Sequence, residues 1–366
     1  MEDFRPYLAQ MILQFSYAGM NVLVKLALED GLNHFVLVTY RLAVAAVAIS
    51  PFAYVLERKQ RPSLTWPLFF QIFLVACGLS VSQNCYFQGI YYTSSTFASA
   101  AINLIPIITF VMATFIRVES IDIKTVRGQA KLVGTIICVS GAMVMTFYQG
   151  PTIWKSSSSS VDRKSTSPNS SEPSHTNMPL GSILIFGGVI AWSAWLTFQG
   201  PVLKRYPSQL SFTALMCIFG SLQSGLTGIV VEHHKLDIWA IRWNIQFLTI
   251  LYTGIVCSAL AFFVQAWCIQ KKGPVFAGVF SPLCTITTAL LEFVILHVSL
   301  HLGSVVGAIL IIMGLYFALW GKAKDQVNTE EAKDQVKTEE VCTTNENSKE
   351  PKESKNQHFT EQDNNV

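Results

Sequence analysis

The residues able to do chemistry in this chain sit where polar groups are costly, inside long apolar runs. Gln10, Gln14, Tyr17, Asn21 and Lys25 recur at steps of three or four, which places them on one face of a helix. Ser80, Asn84, Gln88 and Tyr91 form a second stripe, with Tyr86 beside it. Ser99, Asn103 and Pro106 form a third, and Trp192, Trp195 and Gln199 a fourth. Ser258 and Gln265 lie two turns apart, and Ser281, Thr285, Thr288 and Glu292 make the last stripe. Such groups either bond across to neighbouring helices or face a cavity. Interhelical bonding accounts for any single Ser or Thr. The amides are different. Gln14, Asn21, Asn84, Asn103 and Gln265 carry donors and acceptors together, so they could satisfy both ends of a small zwitterion stripped of water. Gln88 and Ser281 join them as candidates. Tyr17, Tyr86, Trp192 and Trp195 could wall the apolar part of such a site, and could equally be packing.

Two prolines and three charges add to this set. Pro106 and Pro282 read as mid-helix residues. Each would remove a backbone hydrogen bond and free a carbonyl one turn earlier, giving a tolerated kink or a hinge. Arg41 and Lys25 read most simply as cations that snorkel outward or pair with Glu29 or Glu292. The sharper reading is a cationic vestibule for carboxylates. Glu292 is the one acidic residue well inside a span, hence the sole candidate for proton coupling; without such coupling the simplest mechanism is uniport.

Other chemistries lack their residues. There is no G-x-x-x-x-G-K-[ST] signature, so no ATP-driven step is expected. Cys77, Cys85, Cys138, Cys217, Cys257, Cys268 and Cys284 lie in apolar runs as small hydrophobes, and no Cys or His spacing suggests a metal. His233 and His234 read as loop residues. No cofactor, no enzymatic cluster and no nucleic-acid face is expected at a net charge of +3.

The elements that must position these residues are membrane spans. The chain has 366 residues, 51% hydrophobic and only 13% charged, about half the charge of a soluble domain. Ten runs are long enough to cross a bilayer: about 7–27, 35–56, 68–88, 96–116, 129–148, 180–200, 210–231, 247–268, 275–297 and 303–320. The first is too long, and its flank too weakly basic, for a cleaved signal. Lys and Arg follow the even-numbered spans, whereas loops 28–34, 89–95 and 298–302 have none. That bias puts both termini in the cytosol. The Ser/Pro-rich loop 149–179 then faces outward, with a glycosylation sequon at Asn169. Residues 322–366 read as a disordered cytosolic tail, with the tandem "AKDQVNTEE" and "AKDQVKTEE".

One segment occurs twice. "VGTIICVSG" (133–141) and "VGAILIIMG" (306–314) share a glycine pair two helical turns apart, which lets another helix approach closely. The match extends to "TSSTFASA" (93–100) and "KGPVFAGV" (272–279), which align Phe97-Ala98 with Phe276-Ala277. The chain therefore reads as a duplicated five-helix unit. Five is odd, so the second copy enters the membrane from the opposite side. Such inverted repeats are common in secondary transporters, with the substrate near the midplane between them. The expected fold is all-α and integral to the membrane: ten transmembrane helices as two inverted five-helix repeats, residues 1–148 and 180–321.

The segments "QFSYAGMNVLVKLAL", "VTYRLAVA", "QNCYFQGIYYTSSTFASAAINLIP", "KGPVFAGVFSPL" and "LHLGSVVGAILIIMGLYFALWGK" resemble the plant nodulin-21-like family. Its members are also called UMAMIT or walls-are-thin-related transporters, of the EamA branch of the drug/metabolite transporter superfamily. The resemblance covers about residues 5–325 and implies ten helices and facilitated or bidirectional movement of amino acids, with auxin (indole-3-acetic acid) as the alternative substrate. It implies a plasma-membrane protein, or else a vacuolar one. Its partners are then the small solute and the lipid bilayer, with a homodimer left open. Relatives usually carry Ala-Glu shortly before "HLGS"; His297 and Val298 stand there instead, so no role of that glutamate carries over.

Overall fold

The computed structural model describes residues 4–59, 62–93, 95–118, 125–148, 151–154, 178–232, 236–241, 244–295 and 300–321. The helices begin and end where side chains or backbone can satisfy their free groups. Helix α1 (Arg5–Glu29) opens with Pro6, whose missing N–H is no loss in a first turn. It stops at Gly31, which takes φ 90°, a conformation that glycine adopts without strain. Helix α2 (His34–Glu57) is capped by Asn33, whose side chain accepts from Phe35 N at 2.8 Å. Helix α3 spans Trp66–Tyr92, α4 Ser95–Ile102, α5 Ile105–Phe115 and α6 Val126–Phe147. In the second half, α7 is Met178–Arg205, α8 Gln209–Val231, α9 Ile245–Gly254, α10 Ala261–Lys272, α11 Pro274–Val279 and α12 Ser281–Ile295. Helix α13, Leu302–Gly321, completes the set. Lys204 and Arg205 close α7, and Lys271 and Lys272 close α10, cations at the negative end of the helix dipole.

Among the described residues, nine helical segments are long and apolar enough to cross a bilayer, and Ala100–Phe115 is a shorter tenth. Three spans are not simple helices. The fourth is interrupted at Asn103-Leu104, between α4 and α5, and the ninth at Phe280, between α11 and α12. The eighth runs α9, a π-helical stretch Ile255–Leu260, then α10. A two-stranded ribbon is the one departure from an all-helical fold among the described residues. Strand β1 (Thr152–Trp154) pairs antiparallel with β2 (Leu300–His301), which puts the end of α6 and the start of α13 at the same membrane face.

The halves are packed into each other, not side by side. The most extensive contacts join α3 to α7 and α2 to α8, each pair drawn from both halves. The glycine pairs answer one another along an antiparallel seam. A Cβ on Gly134 would meet Gly314 O at 2.7 Å, and one on Gly314 would meet Gly134 O at 2.6 Å. A Cβ on Gly141 would meet Gly307 O at 2.9 Å, and one on Gly307 would meet Gly141 O at 2.6 Å. The seam is closed by the Cys138 thiol donating to Ile311 O at 3.2 Å. The main core cluster lies between α2, α3, α7, α8 and α10, around Leu42, Leu79, Trp195, Phe212 and Phe262.

Candidate functional site

The two interrupted spans meet at their breaks. Helix α5 starts with Ile105-Pro106 and α12 with Ser281-Pro282, and both breaks close with a tight turn: Leu104 N donates to Ala101 O at 3.0 Å and Leu283 N to Phe280 O at 3.0 Å. The expectation of prolines inside continuous helices is therefore corrected. Both stand in the first turn of a half-helix, where a ring fits without loss; the helix-interior prolines are Pro51 and Pro201. Across the breaks, Thr285 Oγ1 donates to Asn103 Oδ1 at 3.1 Å. Asn103 is 1% exposed, and its Nδ2 has no partner. One turn on, Gly278 lies against Thr109, whose buried hydroxyl is also unpartnered.

Helix α1 packs along α12. Asn21 Nδ2 donates to Thr288 Oγ1 at 3.3 Å and to Cys284 Sγ at 3.6 Å, while the rest of its side chain is exposed, as is Lys25 one turn further. Tyr17, in the middle of α1, has a buried hydroxyl without a partner, and its electrostatic neighbours are Cys257, Arg41 and Cys284. Cys284 is also the neighbour of Tyr86. The structure thus brings Tyr17, Asn21, Arg41, Tyr86, Asn103 and the start of α12 with Ser281 toward one region at mid-depth. Gln14 and Gln265 are buried on the flanking helices.

Arg41 does not snorkel. It is 3% exposed. Nη1 donates to the thioether of Met20 at 3.5 Å, and Nε has no partner. The backbone of α2 at Arg41 lies against Gly254, immediately before the π-helical stretch. An interior π turn leaves carbonyls and N–H groups off the regular ladder, and such turns recur at functional sites. This one carries Cys257 and Ser258, the latter with an unpartnered buried hydroxyl.

Other predicted residues belong elsewhere. Asn84 and Ser224 bond each other at 3.2 and 3.3 Å, and Ser80 Oγ donates to Gly220 O at 3.0 Å, so this stripe fastens α3 to α8. Gln88 Nε2 donates to Tyr92 Oη at 3.5 Å. Trp195 is a packing residue: it is 1% exposed, stacks edge-on against Phe262 at 5.3 Å, and donates Nε1 to Met216 Sδ at 3.2 Å. Trp192 leans on it at 4.7 Å and keeps one half-buried face. The side chain of Glu292, Asn169 and the tail lie outside the described residues. A cleft of about 530 Å³ opens at the far ends of α2 and α8, lined by Tyr54, Arg58, Tyr206 and Ser211; none of the predicted residues reaches it.

Sequence reasoning missed a pair of cross-helix contacts beside that cleft and at the opposite face. Glu57, at the end of α2, accepts from Leu210 N at 2.9 Å and Ser211 N at 2.7 Å, capping α8 in place of Ser208. At the other face Glu232, at the end of α8, accepts from Asn33 Nδ2 at 3.4 Å. The signal was present: Asn33 to Glu57 and Ser208 to Glu232 have the same spacing.

The chain matches the EamA-like transporter family twice, over residues 5–147 and 179–320. It is 40% identical over 336 residues to the WAT1-related protein At4g08300 of Arabidopsis thaliana, covering 90% of this chain and 89% of that one. It is likewise 40% identical to the protein WALLS ARE THIN 1 of the same plant, over 89% of this chain and 85% of that one. A crystal structure at 16% identity shares the fold, with a TM-score of 0.65 over 87% of this chain and 99% of that chain. With two inverted five-helix repeats interlocked in the membrane, the chain belongs to the EamA-like transporter family, among the WAT1-related proteins, and is a multi-pass membrane transporter.

Proposed function

We propose that this transporter moves amino acids by alternating access, in both directions and down their gradients, across the plasma membrane with both termini cytosolic. In this reading residues 1–148 and 180–321 are the two moving repeats, joined by the loop 149–179, and 322–366 is a cytosolic tail. The observation that carries it is the junction of the two interrupted spans, where Asn103 meets Thr285 with an amide N–H₂ left over. Buried polar groups without partners are costly, and groups that bond a solute transiently must lack permanent partners. The junction joins one repeat to the other, as a site opened alternately to each side requires. A second reading is an indole-type acid such as auxin, favoured by the half-buried face of Trp192.

The test is flux from loaded proteoliposomes. Labelled neutral, acidic and basic amino acids and indole-3-acetate are followed out, with and without a pH gradient. Amino-acid exit indifferent to pH, and reduced at least tenfold in Asn103→Ala at unchanged folding, is expected. Exit of the indole acid alone would replace this reading with the second.

A further inference from the structure

Arg41 is the most demanding group in the interior. A guanidinium cannot shed its proton, and stripping it of water is expensive unless an anion takes the water's place. Met20 offers only a thioether, a weak acceptor, and Nε has nothing. Among the described residues no carboxylate bonds to it. In the same region a further donor stands unpartnered: the Tyr17 hydroxyl, an electrostatic neighbour of Arg41. Both are O–H or N–H donors, and they come from α1 and α2. Donors gathered around one fixed cation match an anion with two acceptor oxygens, which an Arg fork binds in a planar pair.

We infer that Arg41 is the anchor for the carboxylate of the transported solute, with the Tyr17 hydroxyl as a second donor to the same group. This deepens the reading above and rests on it. Met20 is the residue displaced: it is flexible, and its contact with Nη1 is the weakest kind a guanidinium makes. The acid group common to amino acids and to indole-type acids is then the recognised feature, while the remainder of the solute lies toward Asn103 and Thr285.

The experiment uses the full chain in two assays. In proteoliposomes, exit of L-glutamine is compared with that of L-glutaminamide, and exit of indole-3-acetate with that of indole-3-acetamide. The wild type is expected to favour whichever acid it carries over its amide. Arg41→Gln should reduce acid exit at least tenfold while leaving amide exit unchanged, and Arg41→Lys should recover part of the loss. An acid-to-amide ratio in Arg41→Gln equal to that of the wild type overturns the inference. In detergent, solute-free melting temperatures are compared for the wild type and Arg41→Met. Removing a buried cation that no anion balances among the described residues should raise the temperature by roughly 3 °C or more; a fall of that size would show Arg41 to be a structural residue and overturn the inference. Should the wild type carry none of the four compounds, the amino-acid and indole readings fail, and the melting comparison still decides the role of Arg41.

Discussion

A single methyl group placed in the α6–α13 seam should separate two kinds of glycine. In Gly314→Ala the new carbon would stand 2.6 Å from Gly134 O, against backbone on both sides. Backbone cannot step aside as a side-chain tip can, so the helices must part. Overpacking of this kind costs about 1–3 kcal/mol, and the gain in helix propensity on replacing glycine returns at most about 1 kcal/mol. Gly187→Ala, in α7, is the control, because a carbon there meets nothing within 4 Å. It keeps the propensity gain alone. The propensity gain is common to both variants and cancels, so they should differ by about 1–3 kcal/mol, or ~5 °C in melting temperature, with Gly187→Ala the more stable. The assay is a thermal melt of the purified full chain in one detergent. Gly134→Ala combined with Gly314→Ala should cost less than the sum of the singles, because the first methyl already opens the contact that the second would occupy. Equal melting temperatures for Gly314→Ala and Gly187→Ala would refute the close seam.

Further outcomes are expected from the same structure. Glu57→Gln should lower stability by about 1–2 kcal/mol through loss of the charged cap on α8, and Glu232→Gln by less, since its side chain's one hydrogen bond among the described residues is longer; melts of both variants check the order. Asn84→Ala and Ser224→Ala should be coupled by about 0.6 kcal/mol and at most ~1.7, and a double-mutant cycle reads this directly. Loss of transport in Asn84→Ala beyond that loss of folding would place Asn84 in the pathway after all. Pro106→Ala and Pro282→Ala should shift the melting temperature by no more than ~2 °C, because a first-turn proline costs the helix little; a gain near 3 kcal/mol, the value for an interior proline, would contradict the breaks at Asn103 and Phe280.

The spans were legible because length and hydrophobicity alone specify them. The repeat was legible because glycine spacing survives where other residues drift. What the sequence did not show depends on neighbours. Arg41 reads as a snorkelling cation when only α2 is considered, and its depth becomes clear only once α1, α8 and the π turn surround it. Trp195 and Asn84 lie on polar or aromatic stripes as regular as those of Tyr17 and Asn21. Periodicity groups residues on a face but does not say whether that face meets a helix or a cavity. The breaks in the fourth and ninth spans were signalled by Pro106 and Pro282 but fall about two residues before them, since a proline starts a half-helix more comfortably than it interrupts one. The π turn has no proline or glycine within it and left no mark in the pattern.

The matched spacing of Asn33 to Glu57 and Ser208 to Glu232 also sets an energy scale. At one face a carboxylate holds two backbone N–H groups directly; at the other it holds one amide at 3.4 Å. Two charge-assisted bonds against one weak contact differ by about 1–3 kcal/mol. In the alternating-access cycle proposed above, a device written twice with opposite polarity would let sealing one face and releasing the other exchange the roles of two glutamates instead of sacrificing one. The imbalance between the two faces is then of the size that a solute's unequal affinity for two conformations can reverse.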